Sequence, residues 1–294
     1  MVGRTPLKTS LVIGVIALVI GALRAPPAFA GGTVIGTVTY TGKAEEKELP
    51  LLIFPQPTFC KKIGTDGHKP ELVKGEIRIV KTIEVGEGSA LKAAVVAVTD
   101  IEDTAFLDGY KGTEGVFRFC EFLPYTGVVV NQRNFHVENT DHDPDDPKSM
   151  KGVFHSSHAY EVESVGYRSH HGKTKEGVEY NMDILYLTSP ARTIFNISLP
   201  EKGSTGDKKV ILRKENQGSF VVLLCDYHAW ERAFFLPVKN PYYAVTGADG
   251  GFRIEDVPAG KHKMIAWHPF AGQIEADVEV KDGATVTANF QMKK

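Results

Sequence analysis

Cys225 and His228 stand three residues apart in the run C-D-Y-H-A-W-E, residues 225–231. A thiolate and an imidazole are ligands that borderline and soft metal ions favour. The apolar run S-F-V-V-L-L-C (219–225) precedes the pair, and R-A-F-F-L-P-V (232–238) follows it. The pair therefore falls in a tight loop between two strands. Two ligands in so short a loop can converge on one ion, and a third has to come from a distant loop. A bare C-x-x-H also arises by chance, with the Cys as a small buried side chain.

The whole stretch S-F-V-V-L-L-C-D-Y-H-A-W-E-R-A-F-F-L-P-V (219–238) resembles the strand–loop–strand that ends cupredoxins of the amicyanin and plastocyanin type. That family has Cys, two spacers, His, a short spacer and Met. Glu231 occupies the Met place here. The upstream F-H-S-S-H-A (154–159) resembles the family's first ligand motif, with His155 at the ligand position. The likeness extends to C-E-F-L-P (120–124) and N-T-D (139–141). His155 and the alternative His158 differ by an odd number of residues, so on a strand they point to opposite faces and only one can bind. The resemblance implies a copper site of His155, Cys225 and His228, with Glu231 in the axial place.

Glu231 is the departure from pattern. A carboxylate that reaches copper favours Cu(II) and lowers the potential. It can also admit Zn. If it faces water the metal keeps three ligands, and a decayed site is the remaining alternative.

The N-terminus sets the compartment. Arg4 and Lys8 precede the apolar run Leu11 to Leu23, and Ala28-Phe29-Ala30 forms an A-x-A site before Gly31. Residues 1–30 thus read as a secretory signal peptide, with an uncleaved anchor as the alternative. Cleavage implies a periplasmic or extracellular protein with no stable membrane span. It leaves 264 residues with 31 basic and 36 acidic side chains, a net charge of about −5. Such a balance argues against nucleic acid as a partner. Of three Cys in an exported chain one stays unpaired. A Cys60–Cys120 disulfide would leave Cys225 free beside a His. His68, His136, His142, His170 and His171 lie among polar residues and read as solvated. Trp230 and Trp267 read as packing residues.

The chain reads as all-β: short runs rich in Val, Ile, Thr and Phe, broken by Gly, Pro and Asp turns. Residues 141–151 and 166–179 are polar and read as exposed loops. The run A-V-T-G-A-D-G-G-F-R-I-E-D-V-P-A-G-K-H-K-M-I-A-W-H (244–268) resembles the second half of a carboxypeptidase regulatory-like domain, a transthyretin-like β-sandwich. Strands Ile274–Val280 and Ala284–Gln291 should follow as a hairpin across Lys281-Asp282-Gly283. The opening strands of that pattern stand far upstream, at G-T-V-T-Y-T-G (36–42) and L-K-A-A-V-V-A-V (91–98). The expected organisation is a regulatory-like β-sandwich split between 31–105 and 240–294, with a cupredoxin-like domain at 106–239 inserted; separate sandwiches in series are the alternative.

No base–nucleophile pair marks the chain as an enzyme. The functional expectation is a copper-binding one-electron carrier with a redox partner such as a cytochrome. Copper capture or delivery, and a structural or cell-surface sandwich with a vestigial metal site, are the alternatives.

Overall fold

The structure is a computed structural model that describes residues 31–65, 69–143, 145, 152–188 and 191–293. The candidate signal peptide, His68 and most of 144–151 lie outside the described residues. The chain is mostly β, arranged in several sheets. Two short helices interrupt it, Pro57–Thr65 and Thr104–Gly109. The second starts where Asp103 accepts the Phe106 amide at 2.9 Å, an ordinary side-chain cap. Among the described residues no helix is long and apolar enough to cross a membrane.

Four strands, Arg192–Leu199, His155–Val162, Phe220–Leu224 and Arg232–Pro237, lie in that order in one sheet and are completed by Thr126–Val129. A second sheet, in the order Thr205–Lys209, Asn134–Asn139, Thr113–Phe117 and Phe122–Leu123, faces it. Their shared core holds Phe117, Phe135, Val137, Phe195, Leu199, Val221, Leu223, Cys225 and Phe235. Side chains alternate across a strand. Phe220, Val222, Phe234 and Leu236 therefore face the other way, into a core with Val34, Val95, Met264 and Trp267. That explains why 220–224 and 233–236 are unbroken apolar runs: both faces are covered.

The strands of that outer core come from both ends of the chain. Gly32–Tyr40 pairs antiparallel with Gly251–Val257. Val95–Val98 lies between Tyr243–Val245 and Gly260–His268. The turn between 243–245 and 251–257 follows its sequence: Gly250 has φ +67° and Asp249 accepts the Gly251 amide at 3.0 Å.

Three expectations fail. Asp141 and Asp143, read as part of an exposed loop, are buried. Residues 166–179 are not simply a loop. Val165–Lys173 and Glu179–Leu187 form a two-stranded hairpin, with the turn confined to 174–178. Polarity there reports that the hairpin is exposed, not that strands are absent. The Lys281-Asp282-Gly283 turn does not close a hairpin either. Gly272–Val280 stays with 260–268, while Thr285–Thr287 and Phe290–Met292 run parallel to Gly32–Tyr40 in the other sheet. Gly36 permits this approach, because a Cβ there would lie 1.7 Å from the Ala288 carbonyl oxygen.

Residues 46–81 form a small cap of three strands, Glu46–Pro50, Ile77–Lys81 and Val73–Lys74, plus the helix 57–65. Its apolar side meets Val153 and Trp230, and the Cys60–Cys120 disulfide ties it to the middle of the chain. Cys225 is free and buried.

Candidate metal centre

The loop 225–231 is closed by its own backbone. The Cys225 amide donates to the Glu231 carbonyl at 3.1 Å, and the Glu231 amide to the His228 carbonyl at 3.0 Å. The flanking strands hold Leu224 opposite Arg232. Three candidate ligands therefore project from one clamped hairpin end. His155 arrives from the first position of the neighbouring strand, whose His158 pairs with Leu224.

His155, Cys225, His228 and Glu231 are all buried, and their donor atoms lie within 4.8 Å of one another. His155 Nδ1 is 2.9 Å from Glu231 Oε2, and His228 Nδ1 is 3.7 Å from Cys225 Sγ and 3.3 Å from Glu231 Oε1. The Ser156 amide donates to Cys225 Sγ at 3.5 Å. Glu231 Oε1 makes no hydrogen bond of good geometry, and its partner is the His228 Nδ1 ion pair alone. A buried carboxylate oxygen so weakly satisfied calls for an explanation.

The outer nitrogens of both imidazoles are tied to acceptors. His155 Nε2 donates to Asp141 Oδ2 at 3.1 Å. Asp141 is itself pinned, accepting the Cys120 amide at 2.8 Å and the Phe119 amide. His228 Nε2 donates to the Pro55 carbonyl at 3.1 Å. The Pro55 carbonyl and the Asp141 carboxylate both accept, so both outer positions keep their protons, and both Nδ1 atoms face the cluster, where loss of a proton would expose the lone pair a metal needs. Phe117 stacks on the His155 ring at 4.5 Å, nearly parallel.

Burial works against charge on either imidazole, but the Glu231 carboxylate outweighs it. With help from Asp141 and Cys225 it pushes His155 up to about 12, and with Cys225 it pushes His228 up to about 10. Burial would raise Glu231, yet the charges of His155 and then His228 hold it below the usual carboxylate range. Without a cation the cluster stores its positive charge as protons on the two rings.

His158 lies outside the cluster. Its Nδ1 is 3.1 Å from Asp226 Oδ1 and 2.9 Å from the Tyr160 hydroxyl, and its side chain is part-exposed. His136, His170 and His171 are at the surface or part-exposed, as their polar surroundings imply. Trp230 packs on Phe54 and donates from Nε1 to the Cys120 carbonyl at 2.8 Å.

Sequence reasoning missed Pro55 and assigned no role to Asp141. A backbone carbonyl brought in by a cap has no signature in sequence. Asp141 stood in the N-T-D run as part of a likeness, and its contact with His155 depends on the fold. Comparison of the chain with protein-family models, curated proteins and solved structures returns no match.

Proposed function

We propose that this chain is an exported copper-binding, one-electron carrier of cupredoxin type, in which His155, Cys225, His228 and Glu231 would hold the ion. The observation that carries the reading is the pair of imidazoles, each with Nε2 tied to an outer acceptor and Nδ1 turned on a buried thiol and carboxylate. Copper bound there supplies a Cu(I)/Cu(II) couple, which a thiolate, two imidazoles and a weak axial ligand suit. The donor set fits: one sulfur, two nitrogens and one weakly satisfied oxygen, all from one compact cluster.

The protein's part is to hold these donors still and dry. The Ser156 amide steadies the sulfur, Asp141 and Pro55 fix the rings, and the disulfide-tied cap keeps water from His228. Cys225 is 6% exposed where His155 and His228 are 0%, so the Cys residue is the ligand residue nearest solvent. Tyr227, 40% exposed, lies beside it in the loop. That arrangement favours exchange of electrons with a docked redox protein, such as a cytochrome, over turnover of a substrate. The disulfide accords with an oxidising compartment outside the cytoplasm. The pairing of strands from 31–105 with strands from 240–294 supports a regulatory-like sandwich interrupted by the cupredoxin-like domain.

A closed Zn(II) site is the second reading, favoured by the buried carboxylate among four donors. Metal analysis and absorption spectra after adding Cu(II) or Zn(II) decide between them. One copper per chain with an intense visible thiolate band is expected. Zinc retained against copper, with no such band, supports the structural zinc site, and failure to hold either ion sinks both readings.

A further inference from the structure

Arg78 and Arg232 are 2% and 3% exposed, yet neither guanidinium is satisfied. Arg78 Nη2 reaches Glu121 Oε1 at 3.1 Å, but its Nε and Nη1 have no partner. Arg232 Nε and Nη2 have none either. Those two atoms form the side-on edge of the guanidinium, the fork that grips a carboxylate or phosphate with two parallel hydrogen bonds. Among the described residues no carboxylate comes within ion-pair reach of Arg232. Its charge is held instead against the rings of Tyr167 and Phe270, 5.2 and 5.5 Å from their centroids. The Tyr125 and Tyr167 hydroxyls lie against the Arg232 guanidinium and interact with it, but neither makes a bond of good geometry with Nε or Nη2.

Both arginines line one cavity of about 110 Å³, together with Trp230. Three lysines and three glutamates also line it, so five cations face three carboxylates. Lys69 and Arg78 share Glu121, and Lys92 takes Glu84. Glu121, Glu231 and Glu71 all act on Arg78, so the positive excess rests mainly on Arg232. Buried guanidinium donors without acceptors are costly, and a compact anion supplies both acceptor atoms and countercharge.

We propose that this cavity is a binding site for a small oxyanion, gripped by the free side-on edge of Arg232 and by a single remaining donor of Arg78. It is distinct from the metal centre but adjoins it: Arg232 follows Glu231 in the chain, Trp230 precedes it, and the Glu231 charge acts on Arg78. The inference does not depend on which metal the neighbouring cluster takes.

The test is calorimetric titration of the purified protein with inorganic phosphate, sulfate and formate, against chloride at matched ionic strength, with tryptophan emission followed in parallel. Saturable one-to-one binding of at least one oxyanion and none of chloride is expected, and the shape of the tightest binder names the class. Arg232→Lys keeps the charge but loses the fork, and Arg78→Lys keeps the charge but loses the spare guanidinium donors, so each should weaken binding at least tenfold. Trp230→Phe should remove the optical response and keep the heat. No saturable heat with any oxyanion, or a response that follows ionic strength alone, overturns the proposal and leaves the cavity to water. Wild-type affinity in both lysine variants overturns it as well. If a variant fails to fold, the wild-type selectivity over chloride still decides.

Discussion

Two buried carboxylates lie near opposite ends of the strand His155–Val162, and they are built on opposite principles. Glu161 is complete. Its Oε1 accepts from the Arg213 amide, the Lys214 amide and the Ser219 hydroxyl at 2.8, 2.7 and 3.1 Å. Its Oε2 accepts from Arg192 Nε and Nη2 at 3.0 and 2.8 Å. Glu231 is incomplete: Oε2 meets His155, and Oε1 meets only the His228 ring, without a hydrogen bond of good geometry. Every donor to Glu161 comes from the fold, so its task is structural and finished on folding. Around Glu231 the neighbours are other potential ligands, so the cluster is completed only by a cation, either protons or a metal ion.

The largest expected effect separates the two by pH. Metal must displace the protons held by His155 and His228, whose raised values of about 12 and about 10 keep both rings charged at neutrality. Affinity should therefore climb with pH, by about tenfold per pH unit for each proton released. Two rings give up to about four decades between pH 6 and 8, measured by competition with a chelator. A flat profile breaks the proton-storage account. The same raised imidazoles favour the metal-free fold fully below the ordinary His range and lose that contribution as pH rises through about 10 and about 12. Glu161 runs the other way. Burial opposes its charge, but the Lys214 amide, Arg192 and the other donors hold it below the ordinary carboxylate range. Its contribution is present above that range and is lost as pH falls through the folded value.

Next in size is the loss of the finished cage. Glu161→Ala strips the partner from Arg192 and leaves two backbone amides unsatisfied. Removing one member of such a buried network costs about 3–5 kcal/mol. Denaturant unfolding should show that loss, while copper binding in the folded fraction stays at the wild-type level. A comparable loss of copper binding would mean the two ends of the strand are not independent.

A smaller effect belongs to Asp141. Asp141→Asn keeps the size of the side chain but weakens the anchor on His155 Nε2. Changes to such outer partners cost about 10–100-fold in metal affinity. The thiolate band should also broaden as His155 loses its fixed orientation. An unchanged affinity and spectrum would reduce Asp141 to a staple for the Phe119–Cys120 turn.

Legibility followed the range of the interactions. Cys225, His228 and Glu231 occupy one short loop, so spacing alone groups them. His155 lies 70 residues before Cys225; alternation allows only one of His155 and His158 to bind, and the order of the resembled motif chose His155. The Cys60–Cys120 link followed from the odd count together with the metal-loop setting of Cys225. What could not be read is what other elements lend: the Pro55 carbonyl from the cap, the Asp141 contact, and the unpartnered arginines. The hairpin 165–187 was hidden because its exposed strands carry no apolar alternation. The switch of 285–292 to the other sheet was hidden because a Lys-Asp-Gly turn specifies a reversal, not the strand that receives it.

The smallest expected effect tests whether Glu231 is a ligand or only a neighbour. Glu231→Met replaces a buried anion by a neutral, weak donor. An anion beside the metal favours Cu(II), so its removal should raise the reduction potential. A tenfold change in relative Cu(II)/Cu(I) affinity corresponds to about 59 mV for one electron, and a shift of that order lies well within voltammetric precision. The two imidazoles complicate the reading, because Glu231 also sets their proton affinity. Copper-loaded protein avoids this, since ligating rings have already given up the inward proton. Glu161→Gln supplies the control: a carboxylate of equal burial at the far end of the strand, whose neutralisation should leave the potential unchanged. Equal shifts in both variants would mean that the potential reports net charge and not ligation. A shift confined to Glu231→Met assigns a ligand role to Glu231.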